Sequence, residues 1–385
     1  TISAYDMRMS DVSYGKSKRY VTQERLEQML DAEYAGVEST LREARGDQTR
    51  FFSFASTVAA KAFNSDRECE GWLGLKYQAE AGAEPSTVSL HVRMSDPSAQ
   101  LQGESIGVLG TNLIYLCWAL SDPYLITSFL LDGLELNDGA ARGRIEVDFI
   151  SFSGPAFPEA SVDARLLALR MIQLRLANGV LLEPGEDGKY KQVVPNSALY
   201  KRPVIVERSR FTPVTYMHLG VMEACTKKLL EEAGEGDKPP MQILNMQVDD
   251  ITQPVGHVET KARLMRMKTL VKSDENQTGS IAAAELKAMA SAALLSDDVT
   301  SALLRDLDPE QSGSVSIDAL FNISGKDDSL LATEFLDRFA MLEPLKFPVL
   351  LSSIRRTHKL SEYISRYTRE KIVVAVGGGR YSIQR

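Results

Sequence analysis

The 385-residue chain reads as an α/β protein: a mixed or mostly parallel sheet with flanking helices, interrupted by an inserted all-α pair of loops and helices. Three observations predict this. Strand-like apolar runs alternate with helical patterns through the middle of the chain and again near its end, an order that favours sheets with parallel members. The apolar fraction of 44% and the charged fraction of 25% are those of an ordinary globular protein. An acidic, glycine-centred stretch, "DENQTGSIAAAE" from Asp274 to Glu285, then breaks into the alternation between two apolar helical patterns.

Four segments follow from this reading. They are a helical and strand region, 1–100; an α/β core, 101–257; the insertion, 258–326; and a strand–helix–strand segment completing the core, 327–385.

Taken in order, Tyr20 to Arg45 carries a helix pattern, with Thr22 as N-cap, Glu24 in the first turn, and Leu26, Met29, Leu30, Tyr34 and Val37 at helical spacing. Phe51 to Ala62 is a second apolar segment. Ser86 to Met94 alternates as a half-buried strand, with Val88, Leu90, Val92 and Met94 on one face and His91 and Arg93 on the other; His91 is expected at the surface. Helices are expected over Ile106–Leu120 and Tyr124–Leu131. The uncharged run Ser105–Ser121 contains Gly107, Gly110 and Asn112, and reads as a buried core helix and not as a membrane span. "RIEVDFISF", Arg144–Phe152, is a strand by β-branching and alternation. Its Glu146 and Asp148 point the same way, either to hold a divalent cation or share a proton, or, as favoured, simply as a polar strand face. A helix over Val162–Ala177 and a strand "VLLEP" come next. "PVIVE", the helix Tyr216–Glu232 and "MQILNMQV" then repeat the alternation, and "FPVLLSS", "HKLSEYISRYT" and "KIVVAV" close it as strand, helix, strand.

Bulk properties narrow the function. A net charge of −8 and a pI of about 5.3 argue against a nucleic-acid partner, which would need a cation-rich surface. Cys69, Cys117 and Cys225 are far apart and odd in number. They form neither a disulfide framework nor a zinc spacing, and are expected as buried free thiols in a reducing, soluble compartment. The chain starts at Thr1 with no visible signal or transit segment.

The stretch from Asp274 has calcium-loop spacing. Asp274, Asn276 and Thr278 stand at positions 1, 3 and 5, Gly279 at the sharp turn, Ser280 where a backbone carbonyl is used, Ile281 at the apolar eighth position and Glu285 at the twelfth. A hard divalent cation needs six to eight oxygens, and a bidentate carboxylate completes the set. Ala282 supplies no ligand at position 9, so water substitutes there and the affinity expected is modest, roughly micromolar or weaker. A second loop, "DPEQSGSVSIDA", starts at Asp308 and sets Asp308, Glu310, Ser312 and Ser314 in the corresponding places, with Gly313 at the turn and Val315 at the eighth position. Position 12 is Ala319 and Asp318 lies one residue early, so this loop is expected to be weak or empty and mainly a structural partner, with Ile281 and Val315 bridging the two loops. The pair resembles the EF-hand family, which implies Ca²⁺ as the ligand.

"SRFTPVTYMHL", Ser209–Leu219, lies between an apolar strand and a helix. It is similar to the first signature of the nucleotidylyltransferase superfamily, especially nicotinamide-nucleotide adenylyltransferases. The resemblance implies ATP phosphates held at a helix N-terminus, with His218 as transition-state imidazole, Thr215 as donor to phosphate, and Ser209 and Phe211 in the nucleotide loop. Ser209 replaces the family's glycine, and the motif lies in mid-chain. The family's second signature is echoed in part by "LSSIRRT", Leu351–Thr357, which brings in Ser352, Ser353 and Arg355. "VGGGR", Val376–Arg380, follows a strand and is a weak phosphate-loop pattern by itself.

Several blocks, among them "TISAYDMRMSDVSYG", "ECEGWLGLKYQ", "RIEVDFISFSGP" and "LYKRPVIVERSRFTPVT", resemble a poorly characterised bacterial family whose members carry labels such as nicotinate-nucleotide adenylyltransferase or TonB-dependent receptor. The receptor label conflicts with a sequence lacking a barrel's many amphipathic strands. The resemblance spares roughly 258–326 and implies an organelle protein of bacterial ancestry, in a plastid or mitochondrion. With no P-loop, no G-x-S-x-G and histidines scattered along the chain, the favoured reading is a non-enzymatic scaffold or assembly subunit. It would have a protein partner or form a homo-oligomer, and would carry a calcium-responsive module. The alternative is a nucleotidylyltransferase, live or degenerate, that binds a nucleotide. An enzyme using Glu146 and Asp148 with a metal comes last.

Overall fold

The computed structural model describes residues 7–46, 48–60, 69–134, 143–158, 161–209, 211–234, 236–248, 280–292, 300–301, 304, 308, 312–316, 325–376 and 380–384. The chain divides into two units: Thr1–Arg210, Thr215–Gln247 and Lys346–Arg385 form the first, and Phe211–Val214 with Val248–Leu345 form the second.

The first unit opens with α1 (Met7–Tyr14) and α2 (Gln23–Arg45). Thr22 caps α2 as the sequence predicts, its hydroxyl accepting the Arg25 N–H at 3.1 Å. Arg25 is 1% exposed. Its guanidinium donates to the carbonyls of Gly15 at 2.8 Å and Ser10 at 3.0 Å and to the Ser10 hydroxyl at 2.6 Å, and it packs beside the rings of Tyr14 and Tyr20. One buried cation thereby ties the segment around α1 to the start of α2.

An antiparallel meander follows, formed by β1 (Phe52–Ala59), β2 (Cys69–Gln78), β3 (Pro85–Met94) and, after α3 (Ala99–Ala119) and α4 (Pro123–Phe129), β4 (Ile145–Ser153), in the order β1-β2-β3-β4. Strand alternation sorts its two faces. Leu26 and Leu30 of α2 pack with Ala55 and Trp72. Gly74 lies so close to them that an added Cβ would stand 2.8 Å from Leu30. The opposite face carries Phe54, whose ring sits where a Cβ on Gly110 of α3 would be.

Beyond the meander come α5 (Ala164–Gln173), β5 (Gly179–Pro184), β6 (Tyr190–Val193), α6 (Pro195–Ala198), β7 (Val204–Ser209), α7 (Tyr216–Glu231) and β8 (Met241–Gln247). After the second unit's long segment come β9 (Val349–Ser352), α8 (Thr357–Ser365), β10 (Ile372–Val376) and β11 (Arg380–Gln384). They build a seven-stranded sheet in the order β11-β10-β7-β8-β9-β5-β6. β10, β7, β8 and β9 run parallel, and antiparallel strands extend each side. Val204, Val206, Ile243, Leu350 and Val374 pack with Leu360, Tyr363 and Ile364 of α8. Such β-branched runs, buried on both faces, are what parallel strands require. The fold is mixed α/β, as the alternation predicts.

In the second unit, the three-residue strands Ser280–Ala282 and Ser314–Ser316 pair antiparallel, with Ile281 opposite Val315. The helix Ala283–Ala292 leaves the first of them. The helix Gly325–Ala340 buries Phe335 and Phe339, whose ring centroids are 5.8 Å apart.

Several expectations change. The segment from Phe51 is strand β1, β2 was not anticipated, and α3 starts at Ala99, well before Ile106. A division at residues 100 and 101 would cut α3, and one at 326 and 327 would cut the helix Gly325–Ala340, which groups with the second unit. α3 is not a fully buried helix, because Tyr115 is 72% exposed and Trp118 also reaches the surface, where the Arg50 guanidinium lies 3.5 Å from the Trp118 ring centre. Cys69 and Cys117 are buried thiols and Cys225 is half-buried. Among the described residues no helix is long and apolar enough to cross a membrane.

Candidate functional site

The paired loops are described in part. Asp274, Asn276, Thr278 and Glu310 lie outside the described residues, as does the "GGG" of "VGGGR". Ser280 and Ser314 open the two paired strands, and Glu285 stands in the first turn of the helix that follows the first of them. In the second loop one Asp308 carboxylate oxygen accepts the Ser312 N–H at 2.7 Å and the Ser312 hydroxyl at 2.8 Å, and the other accepts the Gly313 N–H at 2.8 Å. The Ser312 hydroxyl, with these N–H groups, holds the Asp308 carboxyl below the usual range against its burial. The carboxylate is thus folded over the glycine turn, a hard-oxygen donor at the first position of its loop.

The strand–turn–helix expected around His218 is present as β7 and α7. Thr215 is the N-cap of α7. Its N–H donates to His218 Nδ1 at 3.0 Å, and its hydroxyl lies 2.8 Å from the same nitrogen. The imidazole thus closes a capping box, the part usually taken by Glu or Gln three residues into a helix. Ser209 ends β7 and Ser352 ends β9, paired respectively with Met246 and Gln247 of the intervening β8, so the two serines share the carboxyl edge of the parallel strands, where doubly wound sheets take ligands. Ser352 is buried and its hydroxyl accepts from Asn245 at 2.8 Å. Arg355 is exposed. Its carbonyl and that of Ile354 accept from Arg208, a residue the sequence reading passed over. Phe211 belongs to the second unit, is buried, and has a φ of +51°.

A third cluster was not expected. His91 is 2% exposed, and its Nδ1 lies 2.5 Å from Oδ1 of the fully buried Asp148. A β-bulge makes this possible. His91 pairs with Phe149 while Val92 pairs with Val147, so Asp148 is the extra residue and the bulge aims its side chain at His91. Nε2 of His91 is 3.9 Å from Glu70, whose carboxylate accepts from Asn196 at 2.7 Å. Trp72 stands edge-on to the imidazole at 5.0 Å. Burial opposes the imidazolium, but the Asp148 and Glu70 carboxylates outweigh it and raise the His91 pKa above its ordinary value. Burial, together with the Asp148 charge, pushes the Glu70 carboxyl up despite His91 and Asn196.

His91 is therefore not a surface residue. The polar face of β3 is covered by α2 and the β6–α6 segment, so alternation marks the two faces correctly but not which of them meets water. Glu146 and Asp148 turn to different partners. Asp148 holds His91, while Glu146 takes Arg366 at 2.9 Å. His91, Glu70 and Trp72 line a cleft of about 860 Å³, walled also by Tyr20, Gln192 and Asn196. Compared with known proteins, the chain matches no family model, no curated protein and no solved structure.

Proposed function

We propose that the chain is a calcium-binding α/β protein, a non-enzymatic scaffold or assembly subunit whose paired loops bind Ca²⁺ and respond to it. The single observation that carries the reading is the antiparallel pairing of Ile281 with Val315, the bridge expected between two such loops. The Asp308 carboxylate folded over its glycine turn supports it. Asp274, Asn276, Thr278, the Ser280 carbonyl and Glu285 would hold the ion in the first loop. The second loop, lacking a carboxylate at Ala319, serves as its structural partner. A divalent cation there would draw dispersed oxygens together and stiffen the module, and the partner would be another protein or a second copy. A reducing plastid or mitochondrial compartment fits the free thiols.

Calorimetric titration of the full chain with Ca²⁺ tests the reading. One binding event, roughly micromolar or weaker, is expected, and it is lost in Glu285→Ala. No heat up to millimolar Ca²⁺ would reject it.

The adenylyltransferase reading keeps one favourable observation, the strand–turn–helix carrying Thr215 and His218. Incubation with ATP, Mg²⁺ and nicotinamide mononucleotide decides it, and absence of product from the wild-type chain removes it.

A further inference from the structure

The cleft beside His91 has no part in the calcium reading, yet it is built as a binding site. Its floor holds two buried polar side chains. One is His91, fixed by Asp148. The other is Gln192, 8% exposed, whose Oε1 accepts the Ile150 N–H at 3.1 Å while its Nε2 has no hydrogen-bond partner among the described residues. The walls include the rings of Tyr20, Trp72 and Phe149, surfaces that suit an aromatic body or a cation.

Charge selects the ligand. Glu24, Glu70 and Glu183 line the cleft against Arg19. The groups facing His91 from the surrounding elements repeat the bias: Asp148 from β4, Glu70 from β2 with Arg93 of β3 at 3.7 Å from it, and Glu146 paired to Arg366 after α8. Carboxylates outnumber guanidiniums in both sets. With Asp148 at 2.5 Å from one ring nitrogen of His91 and Glu70 at 3.9 Å from the other, two carboxylates flank the imidazole and favour a positive charge there.

We propose that this cleft binds a small organic amine, its ammonium set against both Glu70 and His91 Nε2 from the cleft side and its apolar body on Trp72. The ammonium and the imidazolium proton compete for the same carboxylates, so the ammonium N–H donates to neutral His91 and binding expels the His91 proton to solvent. The ligand arrives as R–NH₃⁺ and stays so, and no bond other than the imidazole N–H is broken.

The test uses the full chain with Trp118→Phe, which leaves Trp72 as the only tryptophan and its emission as the readout. The probes are phenethylamine, its neutral analogue 2-phenylethanol and its anionic analogue 3-phenylpropionate. Saturable change is expected with the amine alone, tightening up to about tenfold per pH unit while His91 titrates, with proton release seen as a buffer-dependent heat. Glu70→Gln should weaken the amine by about tenfold and Arg19→Gln should tighten it. The second variant keeps the test open should the first fail to fold. Equal or better binding of 3-phenylpropionate, an affinity independent of pH, or no saturation by the amine up to about 20 mM, weaker than roughly 2–3 kcal/mol of binding free energy, would each overturn the proposal.

Discussion

Ile281 stands opposite Val315 in a three-residue antiparallel ladder, and Val315 is fully buried. If the two loops act as one calcium-binding pair, the ladder couples them. Val315→Ala, made in the loop that lacks the closing carboxylate, should cost roughly 2 kcal/mol of stability and weaken Ca²⁺ binding at the other loop several-fold. Calorimetry of the variant against wild type reads both effects. Unchanged Ca²⁺ affinity in a destabilised variant would separate the loops.

Arg25 predicts a second effect. Its guanidinium donates to the carbonyls of Ser10, Tyr14 and Gly15. Arg25→Ala should lower stability by roughly 2–4 kcal/mol, and Arg25→Lys should recover only part of it, because an ammonium cannot fork between these acceptors. Urea midpoints for the three chains provide the check.

Two buried groups, Glu207 and His91, each make stability fall as pH rises. Burial raises the Glu207 carboxyl to about 7, and its Oε2 has no hydrogen-bond partner among the described residues. The folded chain therefore keeps a proton there that the unfolded chain releases near 4.5, and stability falls as pH climbs from that value to about 7. His91 also has a raised pKa. Its contribution is complete below its ordinary value of 6.5 and is lost as pH rises through the folded value. Glu207→Gln should abolish the lower window only and raise stability above neutrality by roughly 1–3 kcal/mol. Denaturation midpoints across pH 4–9, a range of roughly two units about each group, would show a stability that rises with pH if the assignment is wrong.

His218 separates structure from chemistry. As the residue closing the α7 capping box, its replacement by Gln, which can also accept from the Thr215 N–H, should preserve stability, while His218→Ala should lose about 1 kcal/mol. Should the wild-type chain make dinucleotide from ATP and nicotinamide mononucleotide, His218→Gln discriminates further. Retained synthesis in that variant would confine the imidazole to capping.

What the sequence made legible depended on how locally each feature is encoded. α2 and its Thr22 cap, the parallel runs "PVIVE" and "KIVVAV", and the opposition of Ile281 to Val315 each follow from spacing within one segment or one loop template. β2 escaped because it is buried on both faces and contains Gly71 and Gly74, so it shows neither alternation nor strong β-propensity. The His91–Asp148 pair escaped because its partners are 57 residues apart and meet through a bulge, and because the cover over His91 comes from α2 and α6. No pattern within β3 reports what lies above it.

The seven-stranded sheet is not contiguous in the chain. β8 ends at Gln247 and its parallel neighbour β9 begins at Val349, so two strands in lateral register are synthesised on either side of the second unit's long segment, Val248–Leu345. During translation the edge of β8 must wait, with its amide ladder open, until that unit has left the ribosome. The finished molecule has the converse property. A single protease cut between Gln247 and Val349 would sever the polypeptide between β8 and β9, yet the pieces would remain associated through the hydrogen bonds and apolar side chains of the sheet, and would part only in denaturant.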